Sequence, residues 1–133
     1  MQIPAKAQYA LKAILELSKH WPQAEPLVIN SIAIKQGIPL KFLTQILLTL
    51  KQHGLVVSVR GKQGGYLLTR APEKILISQV LGVYMSFEIK GKGIFYELIN
   101  EVSQKAYNDF NKISFQDILK REQATNKVPF YNI

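Results

Sequence analysis

The sequence predicts a mainly α-helical fold with a small β-wing: a winged helix-turn-helix domain followed by a long C-terminal helix. Three observations carry this. Ser58 to Thr69, reading S-V-R-G-K-Q-G-G-Y-L-L-T, has the form of a hairpin tip, with apolar runs from Leu55 to Val59 and Tyr66 to Leu68 on either side. Gly61, Gly64 and Gly65 between them permit the positive φ angles of a tight reversal. Two short helical patterns joined through Gly37 and Pro39 precede the hairpin, and apolar residues from Ile94 to Asn111 recur at three-and-four spacing.

Pro4 can open the first helix, because a proline in the first turn loses no needed N–H. Ala7, Ala10, Leu11, Ile14, Leu15, Leu17 and Ser18 then form one inward face ending near His20, and Trp21-Pro22 stops the helix. Residues 22–26 read as a loop, and Leu27 to Ile29 as a short apolar strand beside the hairpin. A second helix covers about Asn30 to Gln36. Gly37 suits the left-handed position after it, and Pro39 starts a third helix running to about Gln52. On that helix Leu43, Ile46, Leu47 and Leu50 point inward, leaving Lys41, Thr44, Gln45, Leu48 and Gln52 on the outer face. His53-Gly54 caps it and Leu55 begins the wing.

Beyond the wing, Ala71-Pro72 forms a turn, and Ile75, Ile77, Val80, Leu81 and Tyr84 predict a short helix on the core. The domain is expected to span residues 1–85. Residues 86–93, S-F-E-I-K-G-K-G, break the pattern and read as a linker. Residues 94–120 hold the long helix, with its stripe of Phe95, Leu98, Ile99, Val102, Ala106, Tyr107 and Phe110, and then one or two turns opened by Ser114 as N-cap with Asp117 in capping-box position. Residues 121–133 read as a tail. An amphipathic helix not needed to close the core is expected to pair with its copy in a two-fold homodimer.

Charge placement says more than total charge. Of a net +8, residues 1–74 hold ten Lys/Arg against three carboxylates, whereas residues 75–133 are nearly balanced. A cationic N-terminal lobe beside a nearly neutral one is the footprint expected of a nucleic-acid reader joined to an assembly module, and the hairpin beside a helix-turn-helix makes double-stranded DNA the expected partner. Arg60 and Lys62 at the wing apex can neutralise phosphates, and Arg60 suits a narrow A·T-rich minor groove. Gln45 can address adenine through N6 and N7, and Thr44 a base edge or a thymine methyl.

The chain has no cysteine, which excludes disulfides, thiolate nucleophiles and cysteine-ligated metal clusters, and no cofactor is expected. Its two histidines, His20 and His53, fall at helix ends, and no nucleophile stands with a base, so an enzyme is not expected. No apolar stretch is long enough to span a bilayer, and the cations belong to a hairpin tip rather than to an amphipathic face. A soluble, cytoplasmic protein without a membrane partner is expected.

Several stretches resemble the Rrf-two (Rrf2) family of bacterial winged-helix transcriptional regulators: Y-A-L-K-A-I-L-E-L at Tyr9 to Leu17, I-A-I-K-Q-G-I at Ile32 to Ile38, F-L-T-Q-I-L-L-T-L at Phe42 to Leu50, and G-L-V-V-S-V-R-G-K-Q-G-G-Y-L-L at Gly54 to Leu68. P-E-K-I-L-I-S-Q-V at Pro72 to Val80 and I-S-F-Q-D-I-L at Ile113 to Leu119 extend the match. The resemblance implies a homodimeric, sequence-specific DNA-binding regulator, expected to repress, with the long helix as its dimer seam. Carried over by position, Lys41, Phe42, Thr44 and Gln45 fall at the major groove. Arg60, Gly61, Lys62, Gln63, Gly64 and Gly65 fall at the minor groove or its phosphates, and Lys6 and Gln8 at the backbone.

The departures are specific. Cluster-binding relatives place three cysteines between the fourth helix and the dimer helix, where this chain has M-S-F-E-I-K-G-K-G. Thr44 stands where relatives usually carry Glu, which can accept from cytosine N4, so the operator should differ. Val28 and Pro39 replace the Ser/Thr caps common before the second and third helices, and Met85 replaces an acidic residue. A second reading gives DNA binding to the control of a partner protein or small-molecule effector held near residues 82–96, where Tyr84, Phe87, Phe95 and Tyr96 could line a small apolar site.

Overall fold

The computed structural model describes residues 1–22 and 25–126. Helices α1 (Ala5–Lys19), α2 (Ile29–Gln36) and α3 (Leu40–Gln52) are followed by strands β1 (Val56–Val59) and β2 (Gly65–Leu68). A 3-10 turn (Pro72–Lys74) leads to α4 (Ile77–Tyr84), α5 (Ile94–Phe110) and α6 (Phe115–Asn126). This is the winged helix-turn-helix with a long C-terminal helix that the sequence predicts. Pro4 precedes α1, and Gly37 takes the left-handed conformation, φ 65°, that ends α2 and lets Pro39 open α3. Neither Val28 nor Pro39 supplies a side-chain cap.

The strands pair antiparallel, Val56 opposite Leu68 and Val59 opposite Gly65. Leu27 adds a single bridge to Tyr66, its N–H and C=O both bonded at 2.9 Å, so the expected strand at 27–29 is one residue of pairing before α2 begins. Gly61 has the positive φ (116°) that a reversal needs, but Gly64 and Gly65 do not. Their role is proximity, which corrects the expectation. A Cβ on Gly64 would overlap the Val59 carbonyl, and one on Gly65 would overlap that of Leu27.

Helix α1 is central and touches α2, α3, α4 and α6. Ile14, Leu17, Ile32, Leu43, Ile46, Leu47, Leu50, Val56, Ile75 and Val80 close one core around it, all at most 2% exposed. Phe115 joins them at 1% exposure, so the domain is not complete at residue 85: α6 returns to fill the space beside α1 and the 3-10 turn. The capping box is present, with Ser114 N–H donating to Asp117 Oδ2 at 2.9 Å and Asp117 N–H donating to Ser114 Oγ at 3.1 Å. Helix α6 nonetheless runs to Asn126, well past Lys120, and residues 121–126 are therefore helix rather than tail. Residues 127–133 lie outside the described residues.

Glu16 is the buried charge that the sequence does not announce, at 3% exposure on α1. It accepts from Gln36 Nε2 at 2.9 Å and meets His20 Nε2 at 3.0 Å, with Lys19 at 3.8 Å and Lys35 at 4.0 Å. Lys19 also reaches Glu122 of α6 at 3.4 Å. Burial pushes the Glu16 carboxyl up, but hydrogen bonds from Gln36 and His20 and the two lysine charges outweigh it and hold the carboxyl below its ordinary value.

Candidate nucleic-acid interface

Helix α3 divides its residues between core and solvent by the 3.6-residue period. Leu43, Ile46, Leu47 and Leu50 are buried, while Lys41, Phe42, Thr44, Gln45, Leu48 and Gln52 are exposed. The outer residues are not equivalent. Phe42 stacks on Tyr9 of α1, rings 6.1 Å apart and 16° from parallel, and Lys41 Nζ lies 5.1 Å from the Phe42 centroid. The ring thus steadies the lysine stem at the start of the helix. Thr44 Oγ donates to its own Leu40 carbonyl at 3.0 Å, which leaves its lone pairs and methyl to an outside partner. Gln45 makes no side-chain hydrogen bond among the described residues and keeps both donor and acceptor.

Lys6, Phe42 and Gln45 come together around a cavity of about 140 Å³, completed by Ile46, Thr49 and Tyr84. The Tyr84 hydroxyl faces the Ile46 carbonyl at 3.5 Å, and burial pushes its pKa up against the opposing Thr49 hydrogen bond. Gln8 is exposed but turned homeward, its Nε2 donating to the Ile3 carbonyl at 2.8 Å and fastening the N-terminal residues to α1.

In the wing, Gly64 N–H donates to the Gly61 carbonyl at 3.0 Å and closes the tip. Arg60, Gly61, Lys62 and Gln63 are exposed there, Gly64 and Gly65 half-buried. Arg60 and Lys62 make no ion pair among the described residues. Lys51 Nζ donates to Ser58 Oγ at 2.8 Å, joining the end of α3 to β1. Sequence reading misses this pair, although a cation and a hydroxyl equally far from the reversal at Gly54–Leu55 are placed to meet.

Helix α5 carries two stripes where the sequence suggests one. Phe95, Leu98, Ile99 and Val102 are 56%, 53%, 43% and 66% exposed, with half-buried Ala106 continuing their row. Tyr107 and Phe110 belong to the other stripe and pack on Phe87 of the same chain, centroids 5.3 and 5.8 Å apart. Nor do Tyr84, Phe87, Phe95 and Tyr96 line one apolar site. Tyr84 faces the α3 cavity, Phe87 fills the α5 contact, and Phe95 stacks on Tyr96 at 4.2 Å. Among the described residues no helix is long and apolar enough to cross a membrane, and no cluster of His, Asp and Glu could hold a metal ion.

Comparison with known proteins agrees with this fold. Residues 3–121 match the family model named Rrf2, described as an iron-dependent transcriptional regulator. An Rrf2-like HTH-type transcriptional regulator of Rhodobacter capsulatus is 44% identical over 81 residues, 59% of this chain and 54% of the relative. The regulator IscR of Xenorhabdus nematophila is 29% identical over 93% of this chain and 82% of its own length. The chain thus spans about half the length of the first relative and most of the second. The solved structure of T. potens IscR superposes with a TM-score of 0.85 at 27% identity, covering 98% of this chain and 95% of that one.

Proposed function

The chain belongs to the Rrf2 family of transcriptional regulators, and from that premise we propose that it is a homodimeric repressor reading an inverted-repeat operator without an iron–sulfur cluster. The observation that carries the reading is the split of α3 into a fully buried stripe and an exposed row of Lys41, Phe42, Thr44 and Gln45. A helix held rigidly by its inner face can offer its outer face to the major groove, whose base edges distinguish all four pairs.

Each candidate residue has a role that follows from its freedom. Gln45, with its amide unengaged, reads a base. Thr44, its proton committed to Leu40, accepts or makes methyl contact. Lys41 and Lys6 neutralise phosphates, as do Arg60 and Lys62 on the wing. Gly61, Gln63, Gly64 and Gly65 let the wing backbone approach the duplex, and Gln8 acts through the N-terminal residues that it fastens. Phe95, Leu98, Ile99, Val102 and Ala106 form the seam with a second copy, since water faces four large apolar side chains there in the single chain. Tyr107 and Phe110 border it.

The family description names iron, and these residues do not fit it. The chain contains no thiolate ligand, and the segment between α4 and α5 is occupied by contacts of its own.

Selection of genomic fragments by the purified protein at about 150 mM salt tests the proposal. An inverted repeat recovered equally with and without a chelator is expected. Fragments without a shared motif would sink the operator, and loss of binding on chelation would sink the cluster-free reading.

A further inference from the structure

The segment between α4 and α5 is a strap laid along one stripe of α5. Its residues meet the helix in reverse order: Phe87 packs on Tyr107 and Phe110, and Ile89 meets Asn100. Gly91 lies so close to Tyr96 that a Cβ would overlap the ring. The central contact is a two-point clamp. Ile89 N–H donates to Asn100 Oδ1 at 2.9 Å, and Asn100 Nδ2 donates to the Ile89 carbonyl at 3.0 Å. Ser86 Oγ accepts from Glu88 N–H at 3.1 Å and sets the turn into the strap. At about 100° per residue, Tyr96, Asn100 and Tyr107 share a stripe roughly 145° around the helix from the exposed row of Phe95, Leu98 and Val102. The clamp at Asn100 therefore lies on the side of α5 away from the exposed row.

Helix α5 otherwise meets the domain at its far end. Ser78 Oγ donates to Asn111 Oδ1 at 2.6 Å, and Ile77 N–H donates to the Ile113 carbonyl at 2.9 Å. The start of α4 thus holds the end of α5, while the strap runs from the end of α4 to the middle of α5. Two attachments fix the direction of a rod where one would leave a hinge.

We infer that Asn100, by clamping the strap at Ile89, is a positioning residue that sets the angle between the DNA-reading domain and the dimer seam, and so the half-site spacing the dimer accepts. This rests on the dimeric reading above. Each base pair inserted between half-sites turns one against the other by about 34°, which a rigid dimer resists and a hinged one follows.

The test compares the full chain with Asn100→Ala and with Gln104→Ala, a control on the same helix bonded to Asn108 instead. Hydrogen exchange at the Ile89 amide reports the clamp, and the probes are the selected inverted repeat, the same repeat with one or two base pairs inserted, and an isolated half-site. The parent is expected to lose about tenfold or more per inserted pair, and Asn100→Ala about threefold or less, with half-site affinity unchanged. Gln104→Ala should follow the parent. An Asn100→Ala protein that exchanges Ile89 freely yet discriminates as sharply as the parent overturns the inference. Sedimentation separates the two levels: a monomeric parent overturns the dimer and the spacing role together, whereas a dimeric parent with an equally discriminating variant overturns the spacing role alone.

Discussion

Gln36 donates its side-chain amide to the Glu16 carboxylate at 2.9 Å, across 20 residues of sequence, and so fastens the first half of the helix-turn-helix to the central helix. The carboxylate is buried, but Lys19 and His20 are about one-third exposed and Lys35 half-exposed, so the site is a charge sunk in the core with its two lysine counter-charges and the His20 ring at the rim.

Glu16→Gln should therefore cost about 1 to 3 kcal/mol at neutral pH, as for a charged hydrogen-bond acceptor replaced by a neutral one. Its carboxyl titrates lower folded than unfolded, so its contribution is complete above the ordinary carboxylate range and is lost as pH falls through the folded value. Asp117, held low by the Ser114 N–H, acts in the same direction. Urea unfolding between about pH 6 and 3 should give a shallower acid limb for Glu16→Gln than for the parent. Parallel limbs would show that the network is not coupled to folding.

Two glycines should respond to alanine with opposite signs. Gly65→Ala pushes a Cβ into the Leu27 carbonyl and should cost about 1 to 3 kcal/mol by overpacking. Gly82 lies within α4, without positive φ and with nothing within 4 Å of the place a Cβ would take, so Gly82→Ala should gain about 0.5 to 1 kcal/mol. Thermal unfolding of both checks the signs.

These contrasts show which features are legible in sequence. Helix limits are legible wherever Pro4, Gly37, Pro39 or Gly54 punctuates a strong period, and all four inward residues of α3 are buried as its spacing predicts. Glu16 is not, because a carboxylate in a helix looks like surface until Gln36 folds against it. The strap is not, because its partners on α5 impose no period on residues 86–93. Nor is the return of Phe115 to the core, since its short apolar pattern resembles a terminal turn. The exposure of Lys41, Gln45, Arg60 and Lys62 is legible, but the engaged Thr44 hydroxyl and the Lys51–Ser58 tie emerge only in three dimensions.

On DNA, Arg60→Ala should weaken operator and random duplex alike, whereas Gln45→Ala should lose about 1 to 3 kcal/mol of discrimination at one base pair per half-site. Competition titrations with singly substituted operators separate these outcomes. Identical behaviour of the two variants would remove direct readout by Gln45.

Salt should act on the complex as a whole. A dimer with about 6 to 10 phosphate contacts should lose about 10³ to 10⁵ in affinity between 50 and 200 mM salt. Replacing Lys62 by Ala should make the logarithmic slope shallower by about one contact per subunit, seen in titrations at four or more salt concentrations. An unchanged slope would place Lys62 away from the phosphates.

The two stripes of α5 make the sharpest test of assembly. Val102 is 66% exposed, so Val102→Glu should leave the isolated chain folded, yet in a paired helix it would bury a charge opposite apolar side chains. Sedimentation should therefore halve the mass with little change in helicity. Phe87→Ala removes the ring beneath Tyr107 and Phe110 and should cost about 1 to 3 kcal/mol in unfolding while the mass stays that of the parent. The opposite pattern, a dimeric Val102→Glu protein and a monomeric Phe87→Ala one, would move the seam onto the stripe that the strap covers.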